Sequence, residues 1–141
     1  MAEADIIGAI VAILKADTAV ASEAGENVFG GELPKDAVST GPLRGVLVQP
    51  SGGVSLSTGT FSETDSQRFD LYAYGRTVIE ANGLRNLCRR ALVAVRRDVV
   101  AGCLIHWIEP AGGFSTGRDP DTAWPYAFQS FQVLHALEEV P

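Results

Sequence analysis

Apolar residues near the start of the chain recur with a helical period. Ile6, Ile7, Ile10, Val11, Ile13 and Leu14 fall, at 100° per residue, on one arc of roughly 160°, which predicts a well-buried first helix. Asp17 is placed to cap a short further turn running through Ala21. The following SEAGENVFGGELPKDAVSTGP carries four Gly and two Pro and reads as a loop. Leu43 to Gln49 is a β-branched run bounded by Pro42 and Pro50, the pattern of a short strand between punctuating residues. Arg68 to Tyr74 alternates: Phe69, Leu71 and Ala73 point one way, Asp70, Tyr72 and Tyr74 the other, so a strand with one apolar and one amphipathic face is predicted. Thr77 is a cap for a second core helix reaching about Arg97, with Ala81, Leu84, Cys88, Ala91, Leu92 and Val95 within an arc of roughly 100°. Aromatic and β-branched content favours two more strands, Ala101 to Glu109 and Tyr126 to Leu137, joined by the turn-rich AGGFSTGRDPDTAWP.

The resulting order is α-β-β-α-β-β. Two substantial helices beside at least four strands, with mostly non-helical connections, predict an α+β fold: a mainly antiparallel sheet of four strands, or slightly more, packed with two main helices. A chain of 141 residues has room for one core, so residues 1–141 are read as a single domain. The two central strands are separated by PSGGVSLSTGTFSETDSQ, far longer than a hairpin loop, and a flexible, functional inter-strand loop is expected at about 51–66.

Composition narrows the function classes. Hydrophobic residues at 46% and charged residues at 20% are those of a folding chain rather than a disordered one. A net charge of −6 has the wrong sign for a dedicated nucleic-acid binder. Two cysteines, Cys88 and Cys103, are too few for a disulfide scaffold and are expected to be reduced thiols. Glu3 and Asp5 stand where a signal peptide carries positive charge, and the apolar stretch stops at Lys15, short of the about 20 residues that span a bilayer. A protein of a cytoplasm-like compartment, with no membrane partner, is expected.

Candidate chemistry is thin. Cys103 and His106 could be a nucleophile and base, but residues three apart in a strand point to opposite faces. His135 has no neighbour to orient it and reads as a surface or half-buried residue. Asp119, Pro120 and Asp121 supply half of a calcium loop without its Gly and bidentate Glu; a β-turn accounts for them. GGFSTGR has the glycines of a phosphate loop but lacks the Lys-Ser/Thr ending and leads toward a strand. No enzyme, metal or cofactor is expected. Charge is more informative, because residues 76–97 hold six Arg and one Glu while residues 1–37 hold two Lys and seven acids. Arg85, Arg89 and Arg96 share one flank of the second helix, with Arg90 and Arg97 further round, which reads either as a solvated face or as a surface pairing with an acidic surface of another subunit.

Taken in order, IxxAIVAILKADTAVA, VFGGELP, VLVQPSGG, RFDLYAYGRTVIEANGLRNLCRRAL and RDPDTAWPYAFQSFQV resemble the tail terminator or tail completion proteins of long-tailed phages and gene transfer agents. The resemblance runs over nearly the whole chain; its most characteristic piece is RFDLYAYGRTVIEAN, where a strand ends at Gly75 and a helix starts at once, followed by the D-P-D turn before the last strand. It implies a structural virion protein: a ring of six copies that caps the tail tube, ends tail growth and joins tail to head. Its partners would be itself, the tail-tube protein and the head connector or neck proteins, with DNA passing through unbound, after assembly in the bacterial cytoplasm. Subunit or partner contacts are expected from Arg85, Arg89 and Arg96, from Ser57, Thr58 and Phe61 in the long loop, and from Tyr72 and Tyr74. Other readings are a head completion protein, a tail-tube subunit or a small ligand-binding domain.

Overall fold

The structure, a computed structural model, describes residues 5–33, 44–51, 64–120 and 122–136. Helix α1 spans Ile6–Ala16; Asp5 caps it by accepting the Gly8 N–H at 3.0 Å, and its Ile6, Ala9, Ile10 and Leu14 are buried. Asp17 ends α1 and starts α2 (Thr18–Ala24), accepting the N–H groups of Ala19 and Val20 on one carboxylate oxygen. Strands β1 (Val28–Gly30), β2 (Gly45–Pro50) and β3 (Thr64–Tyr74) precede α3 (Val78–Val93), which Thr77 caps through the Glu80 N–H; β4 (Arg96–Val100), β5 (Cys103–Arg118) and β6 (Pro125–Ala136) complete the described elements. They form one six-stranded sheet in the order β1-β2-β3-β6-β5-β4, antiparallel except for β1 beside β2.

All three described helices cover one face of this sheet. Val46, Val48, Phe69, Leu71, Ala73, Ile105, Phe131 and Val133 meet the apolar stripes of α1, α2 and α3 in a single core. Phe69 and Phe131 are register partners with rings 5.5 Å apart and nearly parallel, which locks β3 to β6 at the centre. Gly75 allows the abrupt passage from β3 into α3: a Cβ there would lie 2.9 Å from the backbone N of Ala81. Both cysteines are fully buried, and burial pushes the Cys88 thiol up to about 12, so it stays an inert thiol. No described helix is long and apolar enough to cross a membrane.

The α+β class and the antiparallel plan agree with the sequence reading, and the differences have local causes. The second helix stops at Val93, and Arg96–Val100, read as its end and exit, is instead strand β4. A two-residue turn sends β4 back into β5, with Ala101 at φ 49 and Gly102 at φ 81, the type I′ signature, between the paired Val100 and Cys103. Strand β1 pairs parallel with β2 inside the stretch read as loop. Strand β5 runs on to Arg118, so GGFSTGR is strand, and the turn shrinks to the residues between Arg118 and Pro125, where Asp119 accepts the Thr122 N–H as turn residues do. Most of the expected 51–66 loop lies outside the described residues, but Thr64, Asp65 and Ser66 belong to β3. Leu137, the expected end of the last strand, also lies outside them.

Ala101 holds a left-handed conformation that an L-alanine disfavours by about 1–2 kcal/mol. Ala101→Asn, a residue suited to the first position of a type I′ turn, is expected to stabilise the protein by about 1 kcal/mol. Thermal unfolding should show this as a rise of about 4 °C; an unchanged or lower midpoint would contradict the turn assignment.

Candidate subunit interface

The basic segment does not form one solvated flank. Arg85 is 3% exposed, beside the buried Leu84 of α3, and its head is held inside the monomer. Nε donates to Asn82 Oδ1 at 2.8 Å, Nη1 to Gln129 Oε1 on β6 at 2.5 Å and Nη2 to Asn86 Oδ1 at 2.7 Å. The guanidinium also lies 4.1 Å from the centre of the Phe114 ring on β5. Burial, followed by the charge of Arg89, lowers its pKa, yet a guanidinium remains charged at any working pH. Arg85 is therefore a clamp joining α3 to the β5–β6 hairpin, a correction to its reading as a surface contact; a long side chain at the margin of an apolar stripe can turn inward when a neighbouring strand offers acceptors. Arg96 is corrected too, since it is exposed on β4 and shares no helix flank with Arg89. Arg89 and Arg90 are exposed on α3, where with Asn86, Val93 and Ala94 they line a shallow depression of about 430 Å³.

The face of the sheet away from the helices carries a second aromatic cluster. Tyr72 contacts three rings: Tyr74 at 6.5 Å along its own strand, and Tyr126 at 5.7 Å and Phe128 at 5.1 Å across on β6. Tyr74 is 3% exposed and packs edge-on against Trp124, 5.7 Å away, in a small cluster with Leu47. The alternation along β3 and the register of β3 with β6, which pairs Tyr72 with Phe128 and Tyr74 with Tyr126, put these rings on one face. Beside them opens a cleft of about 450 Å³, lined among others by Glu32, Leu47, Tyr72, Tyr74, Asp119 and Tyr126. Burial raises the pKa of Tyr74, with Asp119 adding to it; Tyr72 is raised by burial and then by Asp70. Both phenols stay protonated in a negative environment.

Of the expected contact residues, the structure brings Tyr72 and Tyr74 together and leaves Arg89 and Arg96 on other surfaces. Ser57, Thr58 and Phe61 lie outside the described residues. Glu32 and Tyr126 were not singled out from sequence, and Asp119 was read there only as a turn residue; the strand register, which ties distant segments, assembles them. His135 is 1% exposed, its Nδ1 2.8 Å from the Ala136 carbonyl oxygen, which corrects its reading as a surface or half-buried residue. Cys103 is buried and its Sγ donates to the Asp5 carbonyl at 3.4 Å, a packing role. Arg44 ties the start of β2 to α2 and α3 through Glu23 and Glu80, and its hydrogen bond holds the Glu80 carboxyl below the ordinary carboxylate range. Among the described residues no three His, Cys, Asp or Glu converge as metal ligands.

The described residues thus form a small α+β module with helices on one face of its sheet and an aromatic, acidic cleft on the other. Residues 8–136 match the family Tail completion protein gp17, and the chain belongs to that family. It is a structural component of a virion tail, not an enzyme. The fold is shared with a chain of the virion of a native gene transfer agent particle, with a TM-score of 0.67, 16% identity and 93% and 94% of the two chains covered. The bacteriophage SPP1 gp17 protein is matched at a TM-score of 0.48 and 15% identity over 95% and 90% of the two chains. No curated protein matches the chain.

Proposed function

We propose that residues 1–141 act as one module that caps the tail tube as a closed ring, six copies by the family resemblance, ending tube growth and joining tail to head. The observation that carries this reading is that one subunit presents two unlike surfaces on opposite sides of its sheet. The aromatic cleft holds the carboxylates of Glu32 and Asp119, and the exposed flank of α3 holds Arg89 and Arg90. Unlike surfaces on one chain make heterologous contacts, and those close into rings when the rotation per subunit divides a full turn. The net charge of −6 suits a ring through which DNA passes without adhering, since like charge repels phosphate. The tail-tube protein on one side and the head connector on the other are the partners this role requires.

Electron microscopy of particles assembled without the protein tests this. Tails of uncontrolled length, or tails and filled heads that fail to join, are the expected result. Normal, joined particles would overturn it.

A further inference from the structure

Beyond β4 the sheet ends on β5 itself. Strand β4 pairs with Cys103–Trp107 only, so from Ile108 to Arg118 one side of β5 faces β6 and no described strand lies on the other. Pro110 has no N–H to offer and the ladder shifts register between Pro110 and Phe114, but from Phe114 to Arg118 the pairing with β6 is regular. Gly112 and Gly113 are exposed, and since glycine has no side chain this is exposure of the backbone itself; a Cβ on either would meet nothing within 4 Å. Phe114 adds an apolar ring left 54% exposed. Exposed backbone donors and acceptors beside an exposed ring are a template for a further strand.

We propose that this edge of β5 takes β1 of a second copy of this chain as its next strand. Strand β1 is the opposite edge of the same sheet, and Gly30, Gly31 and Glu32 at its end are exposed. On its β2 side the Asn27 carbonyl accepts the Val46 N–H and the Gly31 N–H donates to the Val48 carbonyl, so the alternation of a strand turns the Gly30 N–H and carbonyl to the outer edge. The directions agree as well: β1 runs with β2, against β3, with β6 and against β5. Rotation about a ring axis lying along the strands keeps these directions, so β5 of one copy meets β1 of the next antiparallel, the more stable arrangement. The charges match at both ends. Exposed Glu26 and Glu32 flank β1, and Arg118 ends β5. Helix α3 starts beside Pro125, the partner of Arg118, so the exposed Arg89, one turn beyond the Arg85 that reaches Phe114, stands toward the other end of the edge. The contact rests on the ring reading above and adds the sheet edges to the unlike surfaces named there.

The test uses the full chain supplied to cells that lack it. A chain carrying both Glu26→Cys and Arg118→Cys is assembled into particles, which are treated with a short bis-maleimide; the native cysteines are buried, and the wild type is the control. A covalent ladder reaching six chains, absent from either single variant, is the expected result. In parallel, Arg118→Glu is expected to lower the yield of joined particles about tenfold, because it sets like charges across the edge, and adding Glu26→Arg is expected to recover most of the yield. Circular dichroism checks that each variant folds. Multi-copy rings on capped tails with no ladder, or a folded Arg118→Glu chain with normal yield, would overturn the edge contact while leaving the ring intact. A protein found in single copies on joined particles would overturn the ring, and the contact with it.

Discussion

Truncating Arg85 to alanine is expected to cost about 3 kcal/mol of folding stability, a large effect for a residue whose charge marks it as a surface side chain. The loss has three parts. Gln129 is 4% exposed and would keep an unmet buried acceptor, at about 1–3 kcal/mol. The stacking on Phe114 would vanish, at about 0.5–2 kcal/mol, and the packing of the aliphatic stem with it. Asn82 and Asn86 are better exposed and would turn to water at little cost. Arg85→Lys keeps the charge but has no planar fork to reach three separate oxygens, so it should recover about half of the loss. Urea unfolding of the three proteins measures this. A change below about 0.5 kcal/mol for Arg85→Ala, the range of an ordinary surface substitution, would mean that the clamp between α3 and the β5–β6 hairpin holds nothing.

A comparable effect is expected at Trp124, from a different origin. It is 2% exposed, yet it lies outside the main core, in the turn before β6, with Tyr74 and Leu47. Trp124→Ala should destabilise by about 3–5 kcal/mol, the usual range for a buried large aromatic. Because Tyr74 leans edge-on against it, the same change should collapse the wall of the cleft and abolish assembly at temperatures where the variant is still folded. Trp107→Ala is the control: that ring is 44% exposed, and a change of about 0.5 kcal/mol or less with normal assembly is expected. Differential scanning calorimetry and particle yield read the two consequences separately. A folded Trp124→Ala variant that assembles normally would detach the cleft from assembly.

The parts of the fold legible in the sequence are those whose pattern is local. The stripe of α1, the caps at Asp17 and Thr77, and the alternation of Phe69, Leu71 and Ala73 against Asp70, Tyr72 and Tyr74 each lie within a few turns or one strand. Strand β1 was not legible: three residues carry no period, and what makes them a strand is β2, reached through a connection of 14 residues from Gly31 to Arg44. Strand β4 was hidden because Val95 continued the helical stripe of α3, and only the Ala101-Gly102 turn, read as a hairpin, would have separated the two. The far half of β5 is rich in Gly and exposed polar residues, a poor strand by propensity, and it is kept in the sheet by its ladder to β6, which resumes at Phe114 after a register shift.

The site was legible in half. Tyr72 and Tyr74 stood out as the polar side of an apolar strand, but their companions come from β6, the preceding turn and Glu32, and no local rule brings these together. The arginines stood out by number, and number could not show that Arg85 turns inward to Gln129. Long-range register decides both.

The most direct measurement is a reconstruction of intact particles by electron cryomicroscopy, with this chain located by its sheet and three helices. One ring of six copies at the head-proximal end of the tail tube is the expected result. Density for this chain repeated along the tube, or confined to the head, would contradict it.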